Sequence, residues 1–579
     1  MKQKACEPFV WEKPNTTREY DLKLGQKLID FNLILTGLPE DIEQVVNDIP
    51  NLPISEAPIQ SIELSKYLKD DLCTAVPGLR VFQPLQIRLY EFNPVAESEE
   101  AIWTAITDIY QKAAELGKIV FADPNYITGD PEGGSGQSGQ IQGGPEGGSG
   151  QSGQIQGGPE GGSGQSGQIQ GGENGNTGGQ PPEEAFIKHW AFYATKGIHL
   201  EAGTGIRINT KNKGQSADVY IFDTVDKRIH RDLNLIENGT DRPHYSPYVC
   251  IQRTHPQEPL EICISSPAER FQGTSRRHIQ VRSTTARTVD EHGLFIAGLI
   301  HRIAPQCNLH LVDVLNQHGQ GELFGFLYAL MLLAKRGLGK AGARKPQPLN
   351  RAVVNLSLGV TLSRELMTKT GVPLALKAMQ TGSLPMQSAQ NYLLVRMLDD
   401  MLNTHQYVGS MRLVTKLLHE LGAILVAAAG NDSAGITGDL PPQIPARYDE
   451  VISVAASIFN GKKANYSNRG DILAPGGGSD LLDVKPQHAQ PDPNPQKDLR
   501  DYVMMSFVPR LSDQDSGLGM WSGTSFATPM VSGLMALMLE KMEVNNVTLT
   551  SADLKEILAN RSRDGIIDVQ MALDSIQDT

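Results

Sequence analysis

The sequence predicts an α/β protein with a mostly parallel sheet and helices on both faces, preceded by a small α/β unit. After residue 185, apolar runs rich in Val, Ile and Leu alternate with helical stretches, which is typical of parallel strands buried on both faces. A Gly-rich repeat separates this region from a shorter group of predicted strands nearer the N-terminus. At 579 residues the chain exceeds one ordinary core, so we expect more than one domain.

Residues 1–129 are predicted to form the small unit. Strands are indicated by FNLILTGL (31–38), GLRVFQPLQIRLYEF (78–92) and KIVFADPNYIT (118–128). An amphipathic helix is indicated by AIWTAITDIYQKAAELG (101–117). None of these segments carries a group of residues typical of catalysis.

Residues 130–184 are predicted to be a linker. Three copies of PEGGSGQSGQIQGG occupy residues 131–172. Gly, Ser and Gln bury too little apolar surface to offset the entropy of ordering, so we expect a flexible tether. A Gly-rich coil of about 50 residues spans roughly 40 Å.

Residues 185–579 are predicted to form the larger domain. Five apolar runs indicate its strands: DVYIFD (218–223), NLHLVDVL (308–315), AVVNLSLG (352–359), AILVAAAGN (423–431) and EVISVAAS (450–457). Helical stretches between them are GLFIAGLIHRI, ELFGFLYALMLLAKRG and MRLVTKLLHELG. In such sheets the site lies beyond the carboxyl ends of the strands.

Composition and charge argue against several functions. A net charge of −13 without a dense basic run disfavours nucleic acid as a partner. No apolar run approaches 18 residues and the N-terminus lacks the apolar core of a secretory signal, so we expect no membrane span and a cytoplasmic location. Five scattered cysteines suit free thiols in a reducing compartment, although Cys250 and Cys263 could pair in an exported protein.

The stretch WSGTSFATPMVSGLMALM (521–538) places small polar residues directly before an apolar helix. Ser525 at its edge is either a helix N-cap or a functional hydroxyl. Pro529 cannot donate to the carbonyl of Ser525, so that carbonyl lacks its helical partner. We therefore expect chemistry at this helix start.

Four residues at strand ends or helix starts form a candidate active site. The Ser525 hydroxyl needs an imidazole to remove its proton, and His292 opens a predicted helix. The imidazole needs a carboxylate, and Asp223 ends a predicted strand. Asn431 follows another strand, and its amide could stabilise an oxyanion together with the backbone N–H of Ser525.

The segments GTSFATPMVSG (523–533), HGLFIAG (292–298) and AAAGN (427–431) resemble motifs of the subtilisin-like serine proteases, over roughly residues 185–577. The resemblance implies a serine endopeptidase that acts through an acyl-enzyme on peptides or proteins. It assigns Ser525, His292, Asp223 and Asn431 the roles just derived. Two alternatives stay open: a peptide ligase or macrocyclase that passes the acyl group to an amine, and a pseudoprotease that only binds peptides.

The resemblance also implies a groove that holds substrate as an added strand. NQHGQG (316–321) resembles its edge strand, and SLG (357–359) its opposite wall. The predicted substrate-binding residues are Gly319, Gly321, Ser357, Leu358, Gly359, Ala429 and Gly430. Small walls leave room for a large apolar or long side chain. Asp432 and Asp439 either line the mouth of this pocket and favour a Lys or Arg side chain of the substrate, or are solvated loop carboxylates.

The segment KIVFADPNYIT resembles the last strand of the pro-domains of this family, which are small, ferredoxin-like α+β units. The chain's own N-terminal domain is therefore expected to act as an intramolecular inhibitor and chaperone. Self-cleavage would fall between Thr128 and Gly134. The alternative is an unrelated partner-binding domain.

The chain departs from the family pattern at several places. Thr224 and Val225 follow Asp223 where the family has a small residue and Gly, and Phe295 replaces a common His. Two insertions stand out, at 228–285 and 360–420. No cofactor or catalytic metal is expected, because the His and Cys spacings do not suit one. Structural calcium stays open, since no dense carboxylate loop is evident.

Overall fold

The structure is a computed structural model. It describes residues 29–93, 99–128, 138–142, 166–170, 198–201, 205–208, 212–224, 292–337, 349–478, 504–507, 518–560 and 567–576, with short gaps at 216, 316–318, 320, 350, 361–367, 383–387, 406, 434–438 and 459–460. The insertion 228–285 with its two cysteines, Val225 and the predicted self-cleavage segment after Thr128 lie outside the described residues.

The N-terminal unit is an antiparallel sheet covered by helices. Its elements are β1 (Ile29–Gly37), α1 (Pro39–Asn47), β2 (Gln60–Glu63), α2 (Asp70–Ala75), β3 (Gln86–Glu91), α3 (Glu99–Leu116) and β4 (Val120–Thr128). The strand order is β4-β1-β3-β2. The predicted strands and long helix are present, with β3 shorter than predicted because a 3-10 turn occupies residues 77–81. The sequence reading missed α1, β2 and α2.

The repeat region contributes two strands, β5 (Ser138–Gln142) and β6 (Ser166–Gln170). Both have the sequence SGQIQ, from the first and third repeats, and they pair in parallel with identical residues side by side. β6 also pairs with a strand of the large domain through Ile169 and Met520. Two pentapeptides of the predicted linker are therefore extended strands.

The large domain is an α/β layer structure. Its strands are β7 (Ile198–Glu201), β8 (Gly205–Ile208), β9 (Asp218–Asp223), β10 (Asn308–Asp313), β11 (Gly321–Glu322), β12 (Ala352–Leu356), β13 (Ile424–Ala428), β14 (Val451–Ser457), β15 (Ile472–Pro475), β16 (Met504–Phe507) and β17 (Leu518–Trp521). Its helices are α4 (His292–Ile303), α5 (Leu323–Gly337), α6 (Val372–Thr381), α7 (Ala389–Thr404), α8 (Gly409–Glu420), α9 (Thr524–Val544), α10 (Ser551–Asn560) and α11 (Val569–Asp574).

The central sheet has the order β10-β9-β12-β13-β14-β15, and every pairing in it is parallel. All five predicted strands belong to it, so the predicted α/β class is confirmed. α4 and α9 pack on one face, where they bury the side chains of a second hydrophobic cluster. The carboxyl ends of β9, β12 and β13 meet at one edge, which positions the candidate site.

The N-terminal unit and the opposite face of the sheet share one hydrophobic cluster. The 360–420 insertion supplies much of the contact, because α6 packs along α3. At this contact the hydroxyl of Thr107 donates to the carbonyl of Thr370 at 3.0 Å, and Lys369 pairs with Glu100 at 2.9 Å. The insertion therefore extends the surface on which the N-terminal unit sits.

Candidate active site

Asp223 and His292 form a hydrogen-bonded pair at the carboxyl edge of the sheet. Asp223 is the last residue of β9 and His292 the first of α4, and Nδ1 of His292 lies 2.7 Å from Oδ1 of Asp223. The carboxylate is fully buried and the imidazole is 14% exposed. Trp521 and Phe526 pack against the ring, with centroids 5.3 and 5.1 Å away. The pair can thus fix the orientation of the imidazole.

Thr224 connects the two elements that carry this pair. Its backbone N–H donates to Oδ1 of Asp223 at 2.7 Å, and its hydroxyl accepts from the N–H of Gly293 at 3.1 Å. A Cβ on Gly293 would collide with the carbonyl oxygen of Thr224, so a glycine is required for this close approach. The departure from the family pattern at Thr224 therefore has a structural role.

Ser525 is the second residue of α9, so it is not the N-cap. It is half-buried in a run of buried neighbours. The Ser525 carbonyl, which Pro529 leaves without a helical donor, accepts from the hydroxyl of Ser357 at 2.8 Å. The Ser525 hydroxyl donates to the carbonyl of Ser357 at 3.2 Å. Its neighbour Phe526 contacts the His292 ring.

Asn431 lies beside the start of α9. Its Oδ1 accepts from both the N–H and the hydroxyl of Thr524, each at 2.9 Å. The Thr524 hydroxyl also accepts from the N–H of Gly430 at 3.2 Å. Because Oδ1 is occupied, the donor group Nδ2 of Asn431 is the part left to bind an oxyanion. The structure thus brings the ends of β9 and β13 and the starts of α4 and α9 together.

The predicted groove residues lie on two sides of one chain segment. Gly321 in β11 pairs antiparallel with Thr128, the last residue of β4. Thr128 also forms an antiparallel bridge to Val360, directly after the predicted wall. Gly319, near β11, has a φ of 73°, in the left-handed region that favours glycine. The last strand of the N-terminal unit, β4, therefore ends between the predicted edge strand of the groove (316–321) and its predicted opposite wall (357–359).

Ser357, Leu358 and Gly359 follow β12, whereas Ala429 and Gly430 follow β13. These two strand ends are neighbours in the parallel sheet, because Leu356 pairs with Ala427. The two strand ends therefore lie side by side, with Ser357 in contact with Ser525.

Polar side chains of β4 meet the N-termini of two helices of the large domain. Oδ1 of Asp123 accepts from Gly409 N–H at 3.0 Å, and its Oδ2 accepts from Ser410 N–H at 2.8 Å. Asn125 accepts from Phe324 N–H at 2.9 Å. Burial raises the pKa of Asp123 to about 6, although the bonds to Ser410 and Gly409 oppose that shift. β4 thus supplies acceptors that the starts of α8 and α5 need.

The two predicted pocket-mouth carboxylates have partners. Oδ2 of Asp432 accepts from the amides of Gln443 at 2.6 Å and Asn468 at 3.0 Å. Asp439 pairs with Lys463 at 3.1 Å. Sequence reasoning missed Gln443, because nothing in its neighbourhood signalled that it would reach the strand ends.

No group of three His, Cys, Asp or Glu side chains suited to a metal ion occurs within the described part of the chain. The same residues include no helix long and apolar enough to cross a bilayer. Cys73 and Cys307 are buried free thiols.

A parallel sheet with Asp, His, Asn and Ser gathered at its carboxyl edge places the chain among the α/β proteins built like serine hydrolases. Residues 273–576, more than half of the chain, match the model of the subtilase family (Peptidase S8). The chain belongs to the subtilase family.

Individual relatives are similar over part of their length. Alkaline elastase YaB of Bacillus sp. (strain YaB) is 26% identical over 262 residues, which cover 43% of this chain and 45% of the elastase. An extracellular basic protease of Dichelobacter nodosus is 29% identical over 182 residues, covering 29% of this chain and 26% of that protease. The chain thus spans less than half the length of these relatives.

Among solved structures, the crystal structure of a lanthipeptide protease is similar. Its sequence is 16% identical, the match covers 63% of this chain and 90% of that chain, and the TM-score is 0.36.

Proposed function

We propose that the chain is a serine endopeptidase in which Ser525 attacks the peptide carbonyl. The observation that carries this proposal is the 2.7 Å contact between His292 and Asp223, located beside α9, whose second residue is Ser525. His292 would take the Ser525 proton on Nε2 and pass it to the leaving amine, while Asp223 stabilises the imidazolium. Family membership supports this assignment.

Asn431 completes the proposed chemistry. The carbon of the scissile bond becomes tetrahedral when Oγ of Ser525 bonds to it, and its oxygen becomes negative. The Nδ2 group of Asn431 and the N–H of Ser525 would donate to that oxygen. Water then attacks the acyl-enzyme, with His292 as base, and frees the Ser525 hydroxyl.

The experiment combines covalent labelling with product analysis. We expect a fluorophosphonate to label the wild-type chain and to spare Ser525→Ala. The control is Ser65→Ala, at an exposed serine of the N-terminal unit, which should label like the wild type. A peptide library should give hydrolysis products. Labelling followed by products joined to an added amine would favour the ligase, and peptide binding without labelling would favour the pseudoprotease.

We further propose that the N-terminal unit inhibits this site by occupying its groove. Thr128 sits between Gly321 and Val360, at the two walls that an added substrate strand would contact. The acceptors Asp123 and Asn125 at two helix starts, with the shared hydrophobic cluster, support a tightly docked inhibitor. Tethering keeps the effective concentration of this strand in the millimolar range.

Comparing the masses of the wild-type and Ser525→Ala chains tests self-cleavage. A wild type that is cut between Thr128 and Gly134, with an uncut Ser525→Ala chain, supports self-processing. Uncut wild type that hydrolyses peptides as fast as the chain without residues 1–128 would favour the unrelated partner-binding domain.

The cellular location is a separate proposal. The buried thiols of Cys73 and Cys307 suit the predicted cytoplasmic location, whereas the similar protease of Dichelobacter nodosus is named extracellular. Thiol labelling of the chain under denaturing conditions, directly after cell lysis, tests it. Five labelled cysteines support a reducing compartment, and three would indicate a disulfide.

A further inference from the structure

The space beside Ser525 that would receive a substrate side chain lies between the ends of β12 and β13. Ser357 holds one end against α9 through its two hydrogen bonds with Ser525. Gly430 holds the other end through the Thr524 hydroxyl. In the proposed complex, a peptide that continues the path of Thr128 along Val360 and Gly359 would place a side chain in this space, which we call the gap.

The side chain of Gln443 crosses the gap. A Cβ on Gly359, at one wall, would collide with Oε1 of Gln443. A Cβ on Gly430, at the other wall, would lie 2.8 Å from both Cγ and Cδ of Gln443. The amide end of Gln443 is therefore packed against both glycines, and it fills volume that the two glycines leave open.

Gln443 is held in this position at both ends. Its backbone N–H donates to the carbonyl of Ala429 at 2.9 Å, which extends the end of β13. Its side-chain Nε2 donates to Oδ2 of Asp432 at 2.6 Å. Asn468 donates to the same oxygen at 3.0 Å and to the Ala429 carbonyl at 3.2 Å. A hydrogen bond to a carboxylate is stronger than one between neutral groups, so turning Gln443 out of the gap is costly.

We propose that Gln443 is the specificity-determining residue of this site and restricts the side chain before the cleaved bond to Gly, Ala or Ser. This inference rests on the proposed endopeptidase function. It replaces the sequence-based expectation of a roomy pocket for a large apolar or long side chain. A large side chain enters only if Gln443 leaves Asp432, whereas a methyl group fits beside it.

The test uses the full chain and three peptides that differ only at that position, with Ala, Phe or Lys. For the wild type we expect kcat/KM for the Ala peptide to exceed that for the Phe peptide by about tenfold or more, the discrimination typical of steric limits in a pocket. Gln443→Ala should raise kcat/KM for the Phe peptide at least about tenfold. Gln380→Ala, in α6, should change neither value.

Two results would overturn the proposal. One is a wild type that cleaves the Phe peptide as fast as the Ala peptide; the other is an unchanged ratio in Gln443→Ala. A preference for the Lys peptide that disappears in Asp432→Asn would assign specificity to the Asp432 charge instead. Because the N-terminal unit competes equally with all three peptides, their ratios are independent of its docking.

A binding measurement separates this inference from the proposed function. The Ser525→Ala chain and its double variant with Gln443→Ala are titrated with the same labelled peptides. If the wild type neither reacts with fluorophosphonate nor hydrolyses peptides, yet the double variant gains affinity for the Phe peptide alone, the endopeptidase proposal fails and the role of Gln443 stands. Equal affinities in both variants would remove Gln443 from the pocket.

Discussion

Ser357 and Ser525 exchange hydrogen bonds, each hydroxyl donating to the carbonyl of the other residue, at 2.8 Å from Ser357 and 3.2 Å from Ser525. The first of these bonds satisfies the carbonyl that Pro529 cannot reach. In the second bond the Ser525 hydroxyl points its proton at Ser357, so in the proposed reaction this hydroxyl must reorient before it donates to His292. The wall of the proposed groove and the proposed nucleophile are thus one connected structure.

Removing the Ser357 hydroxyl should weaken the start of α9. In Ser357→Ala the half-buried carbonyl of Ser525 loses its donor, which should cost at most about 1–3 kcal/mol, the range for an unsatisfied buried group. We expect a lower midpoint of urea unfolding for Ser357→Ala than for Ser357→Thr, which keeps a hydroxyl. Equal midpoints for the two variants would show that this bond contributes nothing to stability.

Removing the Asn431 amide should reduce turnover while sparing labelling. Loss of one oxyanion donor typically lowers kcat about 10²–10³-fold. Because Oδ1 of Asn431 also binds Thr524, Asn431→Ala should lose stability as well, whereas Asn431→Asp keeps an acceptor for Thr524 and lacks the donor. Steady-state kinetics and thermal unfolding of both variants check this. Wild-type kcat in Asn431→Asp would exclude the side chain from oxyanion binding.

Thr224 should act as a positioning residue for His292. Thr224→Val keeps the shape of the side chain and removes the acceptor for the N–H of Gly293. The buried N–H then lacks this partner, at a cost of about 1–3 kcal/mol. We expect a lower unfolding midpoint and a lower kcat with little change in KM. Thr224→Ser should restore both, and failure of that rescue would contradict the assignment.

The Asp123 carboxyl should make stability depend on pH. Burial raises its pKa in the folded chain to about 6, above the usual 3.8, so the folded state binds this proton more tightly than the unfolded state. The stabilisation is complete below the unfolded pKa and is lost as pH rises through about 6. Between pH 7 and pH 5, the wild type should gain about 1.4 kcal/mol of unfolding free energy relative to Asp123→Asn. A constant difference between the two chains, in urea titrations at each pH, would contradict this.

Gly409 should be needed for docking of the N-terminal unit. It begins α8, and a Cβ there would collide with the side chain of Phe121 in β4. We expect Gly409→Ala to weaken docking and to raise the rate of cleavage of a small peptide by the uncut chain. Gly382→Ala is the matched control, since its Cβ would meet its nearest atom, the Ala114 carbonyl oxygen, at 3.5 Å, an ordinary contact. Equal rates of peptide cleavage by the two variants would show that this contact of the N-terminal unit does not inhibit the site.

The regular elements were largely predictable from sequence because their apolar patterns are long. Strands such as β12 and β14 are buried along their whole length, and the structure contains them where continuous Val, Ile and Ala runs predict them. The short strand β15, with only four residues, gave no such pattern. The order of the strands depends on long-range pairing, which local patterns do not encode.

Residues of the candidate site could be predicted only where the proposed chemistry requires one particular type of side chain. Asp223, His292, Ser525 and Asn431 were selected because their proposed chemistry needs those side chains at strand ends and helix starts. Gln443 was missed because glutamine in a Pro-rich loop is ordinary, and its reach across the gap follows from the tertiary path of residues 440–446. The contacts of Asp123 likewise join residues almost 290 positions apart, which no local signal reveals.

The shared hydrophobic cluster has a consequence for how a processed chain would be observed. A cut in the segment after Thr128 would separate the polypeptides covalently while leaving the contact between α3 and α6 and the pairing of β4 with β11 intact. Denaturing electrophoresis would then show two bands, whereas gel filtration would show a single particle of the original mass. A count of polypeptide chains under denaturing conditions would therefore not show whether the N-terminal unit has left the large domain.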